Sequence, residues 1–261
     1  MKNRYIIELS YSGKNFHGWQ IQPNAKTVQQ YLQESFSTIL QEEITITGAG
    51  RTDTSVHASY YVAHFDSESE FDPDFMVNKL NQFLSKDVSI FQIHKVDDDF
   101  HARFGALSRT YKYIIRTKKS AFLNDLCFYY SGKINMEKMN ECSASLLEYS
   151  DFTSFAKLHS DNKTNICKIE KAVWEMHGDY LIFTIKADRF LRNMVRAITG
   201  TIFDVGKGKI STEEFKNIVE GLDNQLASMS APAKGLYLWD IEYEGGYGLR
   251  NLGKGVGFPF Y

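Results

Sequence analysis

Arg4-Tyr5-Ile6-Ile7-Glu8-Leu9-Ser10-Tyr11 alternates, with Tyr5, Ile7, Leu9 and Tyr11 on one side and Arg4, Glu8 and Ser10 on the other. That period of two predicts a strand with one buried face. Thr27-Val28-Gln29-Gln30 then has the form of a helix capping box, and Val28, Leu32, Phe36 and Ile39 follow at helical spacing, so a helix runs to about Leu40 and covers a sheet. Ile44 to Thr47 and Tyr60 to Phe65 read as strands. Asp72-Pro73 opens a second helix carrying Met76, Leu80 and Phe83, and Val88 to Val96 reads as another strand. The order β-α-β-β-α-β is that of the ferredoxin-like, split βαβ unit.

The same order recurs from Arg109, where Tyr111, Tyr113 and Ile115 share a face. Asn135 caps a helix with Met139, Cys142 and Leu146, and Val173 to Met176 and Leu181 to Ile185 are strand-like. Phe190 to Phe203 reads as a helix, Ser211-Thr212-Glu213-Glu214 as a capping box for a short helix ended by Gly221, and Leu236 to Tyr243 as a last strand. The Gly-rich segment from Gly245 to Tyr261 reads as a wrapping or mobile end. The expected fold is α+β, with two ferredoxin-like halves, 1–105 and 106–261, whose antiparallel sheets abut and leave a central cleft near residues 98 to 110.

The chain has 261 residues, 43% hydrophobic and 14% aromatic, enough for a sizeable core. A net charge of -2 offers no global attraction for nucleic acid, so any polyanion has to meet a local basic patch. Cys127, Cys142 and Cys167 are odd in number and widely spaced, which fits reduced thiols in a cytoplasm-like compartment. No apolar run approaches membrane-spanning length, and the first charge comes too early for a signal peptide.

Gly48-Ala49-Gly50-Arg51-Thr52-Asp53-Thr54-Ser55-Val56-His57-Ala58 sets one carboxylate among small residues and two residues from a cation. A neighbouring guanidinium favours the ionised carboxylate, the form a nucleophile needs. Gly48-x-Gly50 lacks the third glycine of a dinucleotide fingerprint and leads into a strand. Asp53-Thr54-Ser55 resembles an aspartic-protease signature, but the chain lacks the second such Asp that would share its proton. His57 and His64 lack the spacing of metal ligands, and Asp97-Asp98-Asp99 reads as a solvated turn. Asp99 to Phe104 and Arg109 to Tyr113 interleave cations with rings, a mixture that suits phosphates and unpaired bases as well as it suits a half-buried strand. On a helix, Arg189, Arg192 and Arg196 would share a face near its start, where they oppose the macrodipole unless an outside anion meets them.

Together, Gly48 to Asp53 with Val56-His57-Ala58, Phe100-His101-Ala102-Arg103-Phe104, Arg109-Thr110-Tyr111-x-Tyr113, Asp151-Phe152-Thr153-Ser154-Phe155 and Phe190-Leu191-Arg192-x-Met194-Val195-Arg196 closely resemble the TruA family of tRNA pseudouridine synthases. Tyr11-Ser12-Gly13, Phe16-His17-Gly18-Trp19-Gln20 and Gly235-Leu236-Tyr237-Leu238 do so too, and the likeness runs from about Tyr5 to Tyr243. The resemblance implies isomerisation of uridine to pseudouridine at tRNA positions 38 to 40, by a homodimer without cofactor or metal. Asp53 matches the catalytic Asp, Tyr111 the tyrosine that stacks on the target base, Arg196 the partner of the carboxylate, and Arg51 the arginine beside the extruded nucleotide. Arg103, Arg109, Arg192 and Lys157 are then candidate contacts to the RNA backbone. A non-catalytic tRNA-binding or chaperone protein on the same scaffold is the rival class. Where the family has Asp-x-Gly-Val-His, this chain has Ser55; if the turn needs positive φ, that serine costs on the order of 1 kcal/mol.

Overall fold

The structure is a computed structural model that describes residues 2–157, 164–245, 247 and 249. The chain forms two compact units, Met1–Leu107 together with the chain from Leu238 on, and Ser108–Tyr237.

In the first unit β1 (Asn3–Tyr11), α1 (Val28–Leu40), β2 (Ile46–Gly48), β3 (His57–Ser67), α2 (Pro73–Phe83) and β4 (Val88–Val96) follow the split βαβ order. β1 lies between β3 and β4, antiparallel to both, and β2 pairs antiparallel with Ala63–Phe65 of β3. α1 begins where the Thr27 side chain accepts the Gln30 N–H at 3.4 Å; only that half of the capping box forms, because the Gln30 amide donates to Glu34 instead. Asp72 caps α2 with Pro73 at its first position. Val28, Leu32 and Phe36 of α1 are buried, and Phe36 meets Phe65 edge-on at 5.0 Å while Tyr5 stacks on the same ring at 5.4 Å. This aromatic packing joins the helix layer to the sheet.

The second unit holds β5 (Ala106–Arg116) from Ser108 on, β6 (Phe128–Tyr129), α3 (Met136–Ser145), β7 (Ile169–His177), β8 (Tyr180–Ala187), α4 (Met194–Gly206) and α5 (Thr212–Glu220), with β9 (Leu236–Tyr243) next in the chain. β8 runs antiparallel to both β5 and β7, and Trp174 stacks on Phe183 at 4.7 Å. The strand-helix order again follows the split βαβ pattern, which the short β6 interrupts. Two residues are too few for any periodicity, so β6 left no trace in the sequence pattern.

Both units seat a helix on a strand with the same device. The Asn140 amide of α3 donates to the Trp174 carbonyl (3.0 Å) and accepts its N–H (2.8 Å); Asn81 of α2 does the same to Ile90 of β4, at 2.8 Å each way. A side-chain amide thereby satisfies backbone groups that one strand alone leaves open.

α4 begins at Met194 rather than Phe190 and continues to Gly206. Asn193 is the cause, for it holds φ 67 and its amide donates to Ser230 Oγ at 2.7 Å, which breaks the helix before it can extend backward. Asn is among the residues that best tolerate this conformation. Arg189 and Arg192 therefore lie in the loop before α4, and only Arg196 is helical; the single arginine face expected from their spacing does not form.

Candidate active site

The Asp53 loop is built entirely within the first unit. Val56 N–H donates to the Asp53 carbonyl at 3.1 Å, closing a four-residue turn in which Ser55 takes φ 64. The positive φ suspected from the family pattern is thus present, and a serine occupies it. Below the turn, the backbones of Gly13 and Gly18 approach so closely that a Cβ on Gly13 would stand 2.1 Å from the Val56 carbonyl oxygen. One on Gly18, which holds φ +86, would stand 2.3 Å from that of Thr52. Gly13 N–H also donates to His57 Nδ1 at 3.1 Å, and Trp19 N–H to the Thr52 carbonyl at 3.2 Å.

Rings clamp the other side. Trp19 stacks on Tyr61 at 4.1 Å, with Tyr11 5.6 Å from Tyr61. The Tyr61 hydroxyl donates to the Gly50 carbonyl and accepts the Gly50 N–H, and the Tyr11 hydroxyl shares a 2.9 Å hydrogen bond with Thr52 Oγ1. Tyr11 reaches Thr52 from just beyond an irregularity in the β1–β3 register after Leu9, a bend of the kind that re-aims a side chain. Residues 50 and 52 are thus held on both flanks of Arg51, whose side chain is exposed, while Asp53 is half-buried. Among the described residues Arg51 forms no ion pair with Asp53, so the nearest cation in sequence is not its electrostatic partner.

The second unit carries the other residues singled out from sequence. Tyr111 is half-buried on β5 opposite Ile185, and its ring meets Phe190 edge-on at 5.2 Å. Arg196, in the first turn of α4, donates from Nε to the Ala231 carbonyl at 2.8 Å, and its own carbonyl accepts the Ala231 N–H at 2.9 Å. Segment 229–231 can run along α4 because a Cβ on Gly200 would stand 2.2 Å from the Met229 carbonyl oxygen. Lys157 N–H donates to the Arg192 carbonyl at 3.2 Å, which makes those two residues backbone neighbours, and Arg109 Nη1 donates to the Asp188 carbonyl at 2.9 Å. Burial holds the Lys112 ammonium below its ordinary range and pushes the Tyr113 hydroxyl up.

Arg103 belongs to the first unit, on the loop after β4, with its guanidinium 5.5 Å from the Phe104 ring. Beside it His64 is buried, its Nδ1 accepts the Ala102 N–H at 3.2 Å, and burial with the Arg4 guanidinium pulls its pKa down to about 4. Among the described residues no group of three or more His, Cys, Asp or Glu could hold a metal ion, and no helix is long and apolar enough to cross a membrane. The cysteines are free and buried, with burial pushing Cys142 and Cys167 up to about 11.

A family model described as tRNA pseudouridine synthase matches residues 9–105 and 146–244. The chain belongs to the tRNA pseudouridine synthase family. It is 49% identical over 241 residues to a tRNA pseudouridine synthase A of Parabacteroides distasonis, covering 92% of this chain and 96% of that protein. A Bacteroides thetaiotaomicron protein of the same name is 49% identical, with coverage of 92% and 90%, and one from Thermoanaerobacter pseudethanolicus is 38% identical, with 93% and 100%. Membership makes the chain an isomerase by family and agrees with the ordered motifs from Tyr11 to Leu238. Within this synthase the Tyr11, Trp19 and Tyr61 clamp escaped the sequence reading, which took those residues as strand or motif positions. The phenols of Tyr11 and Tyr61 are legible as loop anchors only once the register of β1 on β3 is known.

Proposed function

We propose that this member of the family converts uridine to pseudouridine at positions 38 to 40 of the tRNA anticodon arm, with Asp53 as nucleophile. The observation that carries the reading is the Asp53 turn, closed by the Val56 N–H on the Asp53 carbonyl and held through Gly50, Thr52 and Ser55, while Arg51 beside it stays exposed. A nucleophile held still loses little entropy on reaching its attack geometry. Asp53 attacks uridine at C6 of the base or C1′ of the ribose, the glycosidic C–N bond breaks, the base turns, C5 bonds to C1′, and the bond to Asp53 breaks to return its carboxylate as the C5 proton leaves. Tyr111 stacks on the target base, Arg196 pairs with the carboxylate, and Arg51 lies against the turned-out nucleotide. Turning a base out of a stem costs a few kcal/mol, which an arginine beside an aromatic ring helps to offset. Arg103, Arg109, Arg192 and Lys157 contact the RNA backbone. The enzyme acts as a homodimer in the cytoplasm, without metal or cofactor.

Tritium release from an unmodified tRNA transcript labelled at uridine C5 tests this. The wild type is expected to release label, and Asp53→Asn to abolish release while tRNA affinity stays within a few-fold. Binding without release by the wild type would favour the non-catalytic class, and release by Asp53→Asn would remove Asp53 from its role.

A further inference from the structure

The end of β5 beyond Arg109 and Tyr111 carries a second basic feature, made of residues given no role above. Arg116 ends the strand, Lys118, Ser120 and Asn124 lie in the loop to β6, Tyr129 is on β6, and Lys234 is in the single helical turn before β9. They line a recess of about 20 Å³, to which no carboxylate contributes. The Nε and Nη1 atoms of Arg116 are buried, and among the described residues no acceptor reaches them. The guanidinium lies 5.7 Å from the Tyr180 ring, a contact that orients the cation without accepting its N–H groups. Among the described residues neither Arg116 nor Lys234 forms an ion pair, while Lys118 pairs at 2.9 Å with Asp179. Arg116 and Lys234 both pull on the Cys127 thiol, against the burial that pushes it up, so the two charges converge.

Buried donors of a cation are costly unless an acceptor meets them, and the cost is greatest when like charges gather. The recess exceeds what one water needs, about 10–15 Å³, by little, so it admits a single oxygen. A water in the recess leaves the charges of Arg116 and Lys234 unbalanced, whereas an anionic oxygen balances them. We propose that this recess is a phosphate site, in which one non-bridging oxygen enters between Arg116 and Lys234. Its source is the backbone of the tRNA, which rests on the reading of tRNA as substrate. The site would help to set the position of the RNA, as phosphate contacts fix register rather than read sequence.

Affinity for the unmodified transcript, measured against potassium chloride concentration, tests the site without using turnover. Each phosphate contact contributes about 0.7–0.9 to the slope of log affinity against log salt. Arg116→Gln and Lys234→Gln should each lower the slope by about that amount, and the double variant should lower it no further, since both cations hold one phosphate. Arg116→Lys should restore most of it. Lys234→Gln keeps the test open if Arg116→Gln does not fold. In a parallel arm, inorganic phosphate at constant ionic strength should raise the Tm of the wild type and not of Lys234→Gln. A phosphate-dependent Tm with unchanged salt slopes would uphold the site and assign it to the free ion. Unchanged slopes together with no phosphate effect would overturn it. Neither arm depends on Asp53, so a protein that fails to isomerise uridine would leave the outcome readable.

Discussion

Replacing Gly18 by alanine puts a methyl group against the Asp53 loop from below. Gly18 holds φ +86, and its Cβ would stand 2.3 Å from the Thr52 carbonyl oxygen and 3.2 Å from the Asp53 carbonyl carbon. The nearer contact has to open by about 0.7 Å before it reaches even the short limit of real contacts, and a packed interior transmits such a shift rather than absorbing it. Gly18 cannot retreat easily, because its carbonyl accepts the Val28 N–H at the start of α1, at 3.1 Å. The Thr52–Asp53 peptide therefore moves, and a misplacement of about 1 Å at a reacting group costs on the order of 100-fold in rate. The left-handed φ adds about 1 kcal/mol of instability, and the contact brings the total to roughly 2–3 kcal/mol. Gly178→Ala is the control, for Gly178 holds φ +57 with nothing within 4 Å of a Cβ, so it should lose about 1 kcal/mol and no turnover. Single-turnover tritium release reports the rate, and urea unfolding the stability. Gly18→Ala turning over within threefold of the wild type would refute the idea that this backbone contact sets the position of Asp53.

Ser55→Gly relieves about 1 kcal/mol of backbone strain at φ 64 and adds unfolded-state freedom worth about 0.5–1 kcal/mol, so stability should move by less than about 0.5 kcal/mol. Turnover should equal or exceed that of the wild type; a marked loss in either measurement would mean the serine side chain has a role of its own. His64 titrates near 4 in the folded state against an ordinary 6.5, so its contribution to stability is complete above pH 6.5 and is lost as pH falls toward 4. His64→Gln keeps an acceptor for the Ala102 N–H and should flatten the urea midpoint between those limits, whereas parallel profiles for the two proteins would exclude His64 as the source.

The local elements were legible because their signals are local. Alternation marked β1 as a strand but not its burial, since Ile6 and Glu8 on the other face are buried too and Glu8 accepts the Tyr60 hydroxyl at 2.9 Å; the helical spacing of Val28, Leu32 and Phe36 marked α1, and the Ser211 capping box forms with both of its hydrogen bonds. Asp53 itself stood out from its neighbours in sequence, and the ordered motifs sufficed to place the family. Arg51 misled for the same reason that helped elsewhere. Proximity along the chain suggested a charge partner, yet the Arg51 side chain is exposed and forms no ion pair with Asp53.

What residue order determined was the type and succession of the elements, since 2.0 and 3.6 residue periods and caps depend on neighbours a few positions apart. The tertiary structure decided where α4 begins, because the left-handed turn at Asn193 is tied to Ser230, far along the chain. It likewise decided what holds the Asp53 turn: two phenols, a stacked indole and two bare glycine backbones, drawn from β1, its following loop and β3, meet there through strand register, which no local pattern encodes.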